Sequence, residues 1–170
     1  AKGLKVSCSA SVHHLVLTDE KLENFDTRCK VLPPLRTDAD RKELLAGILD
    51  NTIDMITTDH NPMDIEHKKM EFDLAKNGTI GLESLFGALS KVLNLDTLIT
   101  CLTTNPRKRF NIPSESISEG NVANLTLFNP ALKYKFTSDC IVASSKNSIF
   151  LNKELTGKTY GIIANNQAII

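Results

Sequence analysis

The stretch VLPPLRTDADRKELLAGILDNTIDMITTDHNP, residues 31–62, constrains the fold more than any other part of the chain. Thr37 or Asp38 can cap a helix in which Leu44, Leu45, Ile48 and Leu49 recur at helical spacing, and Pro33-Pro34 holds the approach extended. The helix is expected to end near Asp50-Asn51. Residues 53–58 are rich in β-branched side chains and predict a short strand, which Asp59-His60-Asn61-Pro62 stops. A second strand is expected over residues 4–10, with a polar, loop-like stretch over 18–30. Strand, helix, strand is the grammar of parallel strands joined by a crossover, and such folds collect their chemistry at the C-terminal ends of the strands. Asp59 and His60 stand at such an end. Asp59 has a second reading as an Asx-type turn or a helix cap before Asn61-Pro62.

Downstream, residues 63–79 form a charged, irregular loop of a length more often functional than merely connecting, and it is expected to border a pocket. Residues 81–93 place Leu82, Leu85, Phe86, Leu89, Val92 and Leu93 on one face of a helix, and Asp96 can cap another through Leu102. Asn105-Pro106 opens a further helical turn, in which Arg107, Lys108 and Arg109 read as a solvated face. After Ser114 the pattern changes to short strands, at 122–128, 133–137, 140–143, 160–164 and 168–170, with a hairpin turn at Asn165-Asn166. The chain is therefore divided near Ile112, into an α/β part over residues 1–112 and a small β part over 113–170.

Composition narrows the function. Lys plus Arg and Asp plus Glu each number 20 in the 170 residues, so the formal net charge is zero and gives no broad attraction to phosphate backbones or anionic lipid. Neither a nucleic-acid nor a membrane partner is expected. No apolar run approaches the roughly 20 residues of a spanning helix, and AKGLKVSCSASVHH lacks the apolar centre of a signal peptide, so a cytoplasmic protein is expected. The chain opens without Met, and Gly3 reads as the C-cap of a helix that would precede it, so the fold is expected to begin midway. Cys8, Cys29, Cys101 and Cys140 form no C-x-x-C pair and read as reduced thiols rather than a zinc ribbon or redox dithiol.

His13, His14, His60 and His67 are the four histidines, and with Asp59 they offer zinc-type donors. Neighbouring residues on a strand face opposite ways, so His13 and His14 are not expected to address one ion together. There is no nucleophile elbow, phosphate-binding glycine loop or H-E-x-x-H.

The collinear segments SCSASVHHLVLTDE, KVLPPLRTDADRKELLAGILDNTIDMITTDHNP, GTIGLESLFGAL, LTTNPRKRFNI, SISEGNVANLTLFNP and SKNSIFLNKELTGKTYGII resemble the C-terminal part of a dihydroorotase, of the amidohydrolase superfamily. The resemblance implies an α/β fold: the C-terminal part of a (β/α)8 TIM-type barrel, with its last two strands and flanking helices, plus a small β-sandwich-like domain. Residues 4–10 would be the seventh barrel strand and 53–58 the eighth. It implies reversible hydrolysis of dihydroorotate to carbamoyl aspartate in pyrimidine biosynthesis by zinc-bound hydroxide, with Asp59 as the metal-contacting general base and acid. The other metal ligands of the family would lie before Ala1, so this length of chain alone is expected to be inactive.

Departures from the family pattern fall at substrate positions. Leu32 stands where the family has the Asn of Asn-Pro-Pro-Leu-Arg, and Met63 stands where it has the last histidine of His-Ala-Pro-His. Of the Phe-Gly pair that borders the substrate, Asn77-Gly78 keeps only the glycine, so Gly78 is the substrate-binding candidate. His13-His14 matches a paired histidine in the family, with Val12 in place of its proline, and is not carried over as a metal ligand. The resemblance implies a homodimer and, as a further partner, aspartate carbamoyltransferase. Two rival readings accompany it, a non-catalytic homologue with a structural or regulatory role and an amidohydrolase acting on another cyclic amide.

Overall fold

A computed structural model describes residues 5–114 and 116–170. The expected helix cap at Gly3 and the first residue of the expected strand lie outside them. Two short parallel strands carry the α/β part: β1, Ser9–Ser11, pairs with β2, Met55–Thr57, in the register Ser9 to Met55 and Ser11 to Thr57. The first strand is thus shorter than expected, because residues 5–8 are not strand and the chain turns into helix α1, Val12–Val16, directly after Ser11.

The crossover helix α2, Asp38–Leu49, forms where its sequence calls for it. Thr37 and Asp40 make a reciprocal capping box, in which each side chain accepts from the other residue's backbone N–H. Leu44, Leu45 and Ile48 turn inward, and Ile48 is buried in a core shared with Ala10, Val12, Leu15 and Ile56. Leu49, expected on the same face, is exposed.

The segment 81–93 keeps only helix α3, Leu85–Leu89, with turns on either side. Helix α4, Leu95–Ile99, is capped by Asn94, whose Oδ1 accepts from Thr97 N at 2.9 Å, and not by Asp96, which lies inside the first turn. A π-helical turn, Thr100–Thr104, joins α4 to helix α5, Asn105–Phe110, so Asn105-Pro106 continues a helical run rather than opening one.

The β part is a three-stranded antiparallel sheet in the order β3, Leu125–Lys135; β4, Glu154–Ala164; β5, Gln167–Ile169. The two expected strands at 122–128 and 133–137 are one strand, interrupted in register between Asn129 and Lys133, where Asn129 Oδ1 accepts from Ala131 N at 2.9 Å. The expected strand at 140–143 is instead a tight 3-10 turn at Ser138–Cys140 followed by extended chain. Asn165 and Asn166, at φ 52° and 59°, make the two-residue hairpin turn that Asn tolerates. Helix α3 packs on β4, where a Cβ at Gly87 would lie 3.0 Å from both Gly157 O and Leu155 Cβ, so the absence of a side chain there sets the approach. Phe136, Phe150 and Leu155 join the same buried core as Leu15 and Leu89.

No helix among the described residues is long and apolar enough to cross a membrane.

Candidate functional site

Parallel register brings the site together. Ser11 and Thr57 are paired at the C-terminal ends of β1 and β2, and two residues beyond each of them stand His13 and Asp59. A parallel ladder keeps such positions level, so these side chains face one another across the strand ends: His13 Nε2 is 4.0 Å from Asp59 Oδ2. Asp59 has left the strand. Its φ is 44°, in the left-handed region that Asp tolerates better than most residues, its N–H donates to Thr57 Oγ1 at 3.4 Å, and its side chain is 44% exposed.

His13 is the opposite case. Its side chain has no exposure, and neither ring nitrogen has a hydrogen-bond partner of ordinary geometry. Burial pushes its pKa down to about 4, against the upward pull of the Asp59 carboxylate, so the imidazole is neutral at physiological pH. Because His13 and His14 lie on a helical turn rather than a strand, they part by about 100°. His14 Nδ1 accepts from Ser11 Oγ at 2.5 Å, and its Nε2 donates to the carbonyls of Pro33 and Pro34 at 3.0 and 3.3 Å, which ties the Pro-Pro segment to β1.

The other two histidines point elsewhere. His60 Nδ1 accepts from the N–H groups of Gly81 and Leu82, each at 3.3 Å, so its proton sits on Nε2 and the ring closes the neck of the 63–79 loop. His67 lies 3.9 Å from Asp64 on that loop. Among the described residues no three His, Cys, Asp or Glu side chains are arranged to hold a metal. Asp59 alone, an exposed carboxylate at a strand end, suits one position of a zinc shell, which needs four ligands.

Gly78 is buried, at φ 137°, where a Cβ would lie 2.9 Å from both Asn61 O and Asn61 Nδ2. Its N–H donates to Lys30 O at 2.9 Å and its carbonyl accepts from Asn147 Nδ2 at 3.0 Å. The loop end is further held by Thr79 Oγ1, which donates to Asn147 O at 3.2 Å and accepts from Ile149 N at 2.9 Å, so the β part anchors the chain beside the strand ends.

A cleft of about 890 Å³ lies between this loop and residues 144–147 and is lined by Met63, Arg28, Asp64, Lys68, Ser145 and others; another of about 640 Å³ lies near Leu17, Cys29 and Phe150. Asp59 lines neither, and Leu32 is exposed. The expectation that the loop borders a pocket holds, but neither His13 nor Asp59 lines that pocket. Sequence reasoning singled out Asp59 and missed its pairing with His13, because strand ends expected at residues 10 and 58 do not bring the two level; the observed ends, Ser11 and Thr57, and their parallel register do.

No family model matches the chain. A dihydroorotase of Carboxydothermus hydrogenoformans is 43% identical over 162 residues, which are 91% of this chain and 38% of that protein. A dihydroorotase of Caldicellulosiruptor saccharolyticus is 36% identical over 173 residues, 98% of this chain and 40% of that protein. Among solved structures, the D-hydantoinase (dihydropyrimidinase) of a Thermus species superposes with a TM-score of 0.85 at 20% identity, over 99% of this chain and 40% of its own. The inactive dihydroorotase-like domain of the CAD-like multifunctional protein of Chaetomium thermophilum does so with a TM-score of 0.65 at 22% identity, over 98% and 44%. The structural likenesses show the fold, that of an α/β part of the hydantoinases. With sequence identities of 36 and 43% along nearly its whole length, the chain is a dihydroorotase homologue that spans about two-fifths of the relatives it matches.

Proposed function

We propose that the chain is the C-terminal part of a dihydroorotase-type cyclic amidohydrolase, in which β1 and β2 are the last two strands of the barrel, residues 1–112 complete the barrel and residues 113–170 form the small β domain. The observation that carries this reading is Asp59, an exposed carboxylate at the C-terminal end of a parallel strand, in a chain 43% identical to a dihydroorotase. The substrate is dihydroorotate, opened to carbamoyl aspartate in pyrimidine biosynthesis. Zinc, when bound, lowers the pKa of water so that a nucleophile exists at neutral pH. Asp59 supplies one ligand, and the remaining ligands come from parts of the protein outside this chain. The Asp59 carboxylate accepts the proton of the attacking water and delivers it to the ring nitrogen as the C–N bond breaks. Gly78, where a side chain would collide with Asn61 and the N–H donates to Lys30 O, sets the path of the loop that borders the substrate. The protein acts in the cytoplasm as a homodimer, with aspartate carbamoyltransferase as a partner.

A second reading rests on a specific observation. Leu32 and Met63 replace an asparagine and a histidine at substrate positions of the family pattern, and each polar group they leave unpaired in a closed site costs about 1–3 kcal/mol. The loss fits a non-catalytic homologue, of which the Chaetomium domain is a structural parallel, or a less polar cyclic amide as substrate. The full-length protein, assayed with zinc on dihydroorotate, separates the readings. Turnover that falls about 10²- to 10⁴-fold in Asp59→Asn supports the enzyme. Absence of both zinc binding and turnover establishes the non-catalytic homologue, and turnover of a different cyclic amide establishes the third reading.

A further inference from the structure

His13 is a buried imidazole with two polar ring atoms and no partner for either, which is rare enough in folded proteins to need an explanation. Its surroundings do not supply one. Val12 and Leu15 beside it are fully buried, and the Phe150 ring lies 6.4 Å away, tilted at 35°, so the imidazole sits in an apolar seat that a leucine or phenylalanine would fill at less cost. The polar groups facing the ring are those of Asp59, its main chain and its carboxylate, whose Oδ2 is 4.0 Å from Nε2. The two residues descend from different strands and are levelled by the β1–β2 register, so their opposition belongs to the sheet and not to a local turn.

We propose that His13 is the positioning residue for Asp59: its Nε2–H, held in a rigid apolar seat, takes one carboxylate oxygen and leaves the other directed away from the protein. The step from 4.0 Å to a hydrogen bond of about 2.9 Å needs a movement of about 1 Å, which a rotation of the exposed Asp59 side chain provides while His13 stays fixed. The buried ring suits this duty because its seat fixes the direction in which Nε2 points, toward Asp59. The opposite nitrogen, Nδ1, then remains the unprotonated one in the apolar seat. This role rests on the reading of Asp59 as the proton carrier and metal ligand proposed above.

The test uses the full-length, zinc-loaded protein. His13→Leu keeps the apolar seat and removes the donor; it is expected to lower kcat and zinc retention against a chelator about 10- to 100-fold, the usual effect of removing a partner that orients a metal ligand. His13→Gln returns an N–H near the Nε2 position and is expected to restore most of both, which a purely structural role would not predict. Independently of activity, ¹⁵N-histidine labelling is expected to show His13 as the Nε2–H tautomer, with an Nε2 resonance that moves in Asp59→Asn. A folded His13→Leu variant with unchanged kcat and zinc retention overturns the proposal, as does an Nε2 resonance indifferent to Asp59→Asn. Should His13→Leu fail to fold, the resonance decides. If the parent protein has no turnover on any cyclic amide, the functional reading fails while the resonance still decides whether His13 and Asp59 are coupled.

Discussion

Lys68 is 3% exposed, yet its Nζ reaches main-chain carbonyls alone, that of Lys76 at 2.7 Å and that of Lys30 at 3.4 Å. Burial, and then the neighbouring Lys30 ammonium, pushes its pKa from 10.5 down to about 8. Between about pH 8 and 10.5 the unfolded chain therefore binds the proton that the folded one has lost, so stability climbs as pH rises through this window and falls back as pH drops through 8. The cleft beside Lys68 admits water, so the gain is on the order of 1–3 kcal/mol rather than the full conversion of the shift. Urea melts at pH 7.5 and pH 10 are expected to show wild type gaining on Lys68→Met by this amount; a difference that stays flat with pH removes Lys68 as the cause. Nothing in the residue's local sequence marks it as buried, since a Lys in a charged loop reads as solvated. Its burial follows from the loop folding back on Lys30, whose own Nζ donates to the carbonyls of Phe72 and Asp73 at 2.7 and 2.8 Å.

Elements differ in how much of them local chemistry decides. Helix α2 carries its own start signal and period, and its capping box stabilises an exposed N-terminus that little else covers. Thr37→Ala is expected to destabilise the chain by about 1 kcal/mol, read as a lower urea midpoint at unchanged slope, whereas Thr37→Ser is expected to be close to neutral. The Asn165-Asn166 hairpin was equally legible, because its turn type demands residues that accept positive φ. Helix α3 and the end of β1 were not. Residues 81–93 have a full amphipathic period, yet helix persists only over Leu85–Leu89, with the chain on either side spent on contacts to His60 and Leu89 carbonyl turns. Asn94 took the cap that Asp96 could have supplied because both residues qualify chemically and only the path of the chain into α4 distinguishes them. The interruption of β3 at Asn129-Pro130 looked like the gap between two strands, and pairing with an unbroken β4 made it one.

At the scale of the molecule, the two-stranded parallel sheet is too small to be stable by itself, and among the described residues each strand hydrogen-bonds along one edge. Large apolar side chains are also left exposed, among them Val6, Phe25, Ile65, Leu74 and Leu82. Both features fit a chain that spans about two-fifths of its relatives' length and the barrel proposed above, which would close every edge. Prepared alone, residues 1–170 are expected to bind the dye ANS strongly and to associate in a concentration-dependent way by analytical ultracentrifugation. A monodisperse monomer with a single cooperative urea transition would count against the barrel assignment.

By itself the sequence determined what depends on neighbours along the chain: a capped crossover helix, a short strand that stops before Asp59, the asparagine hairpin, and the collinear likeness to dihydroorotases. Asp59 was legible because a strand end and an acid are both local facts. The tertiary structure alone decided which side chains meet. His13 faces Asp59 only because β1 and β2 pair in one parallel register, which levels the start of α1 with the chain leaving β2. Burial, which leaves His13 without a partner and lowers the pKa of Lys68, likewise arises from segments distant in sequence closing over one another, and no local pattern of residues encodes it.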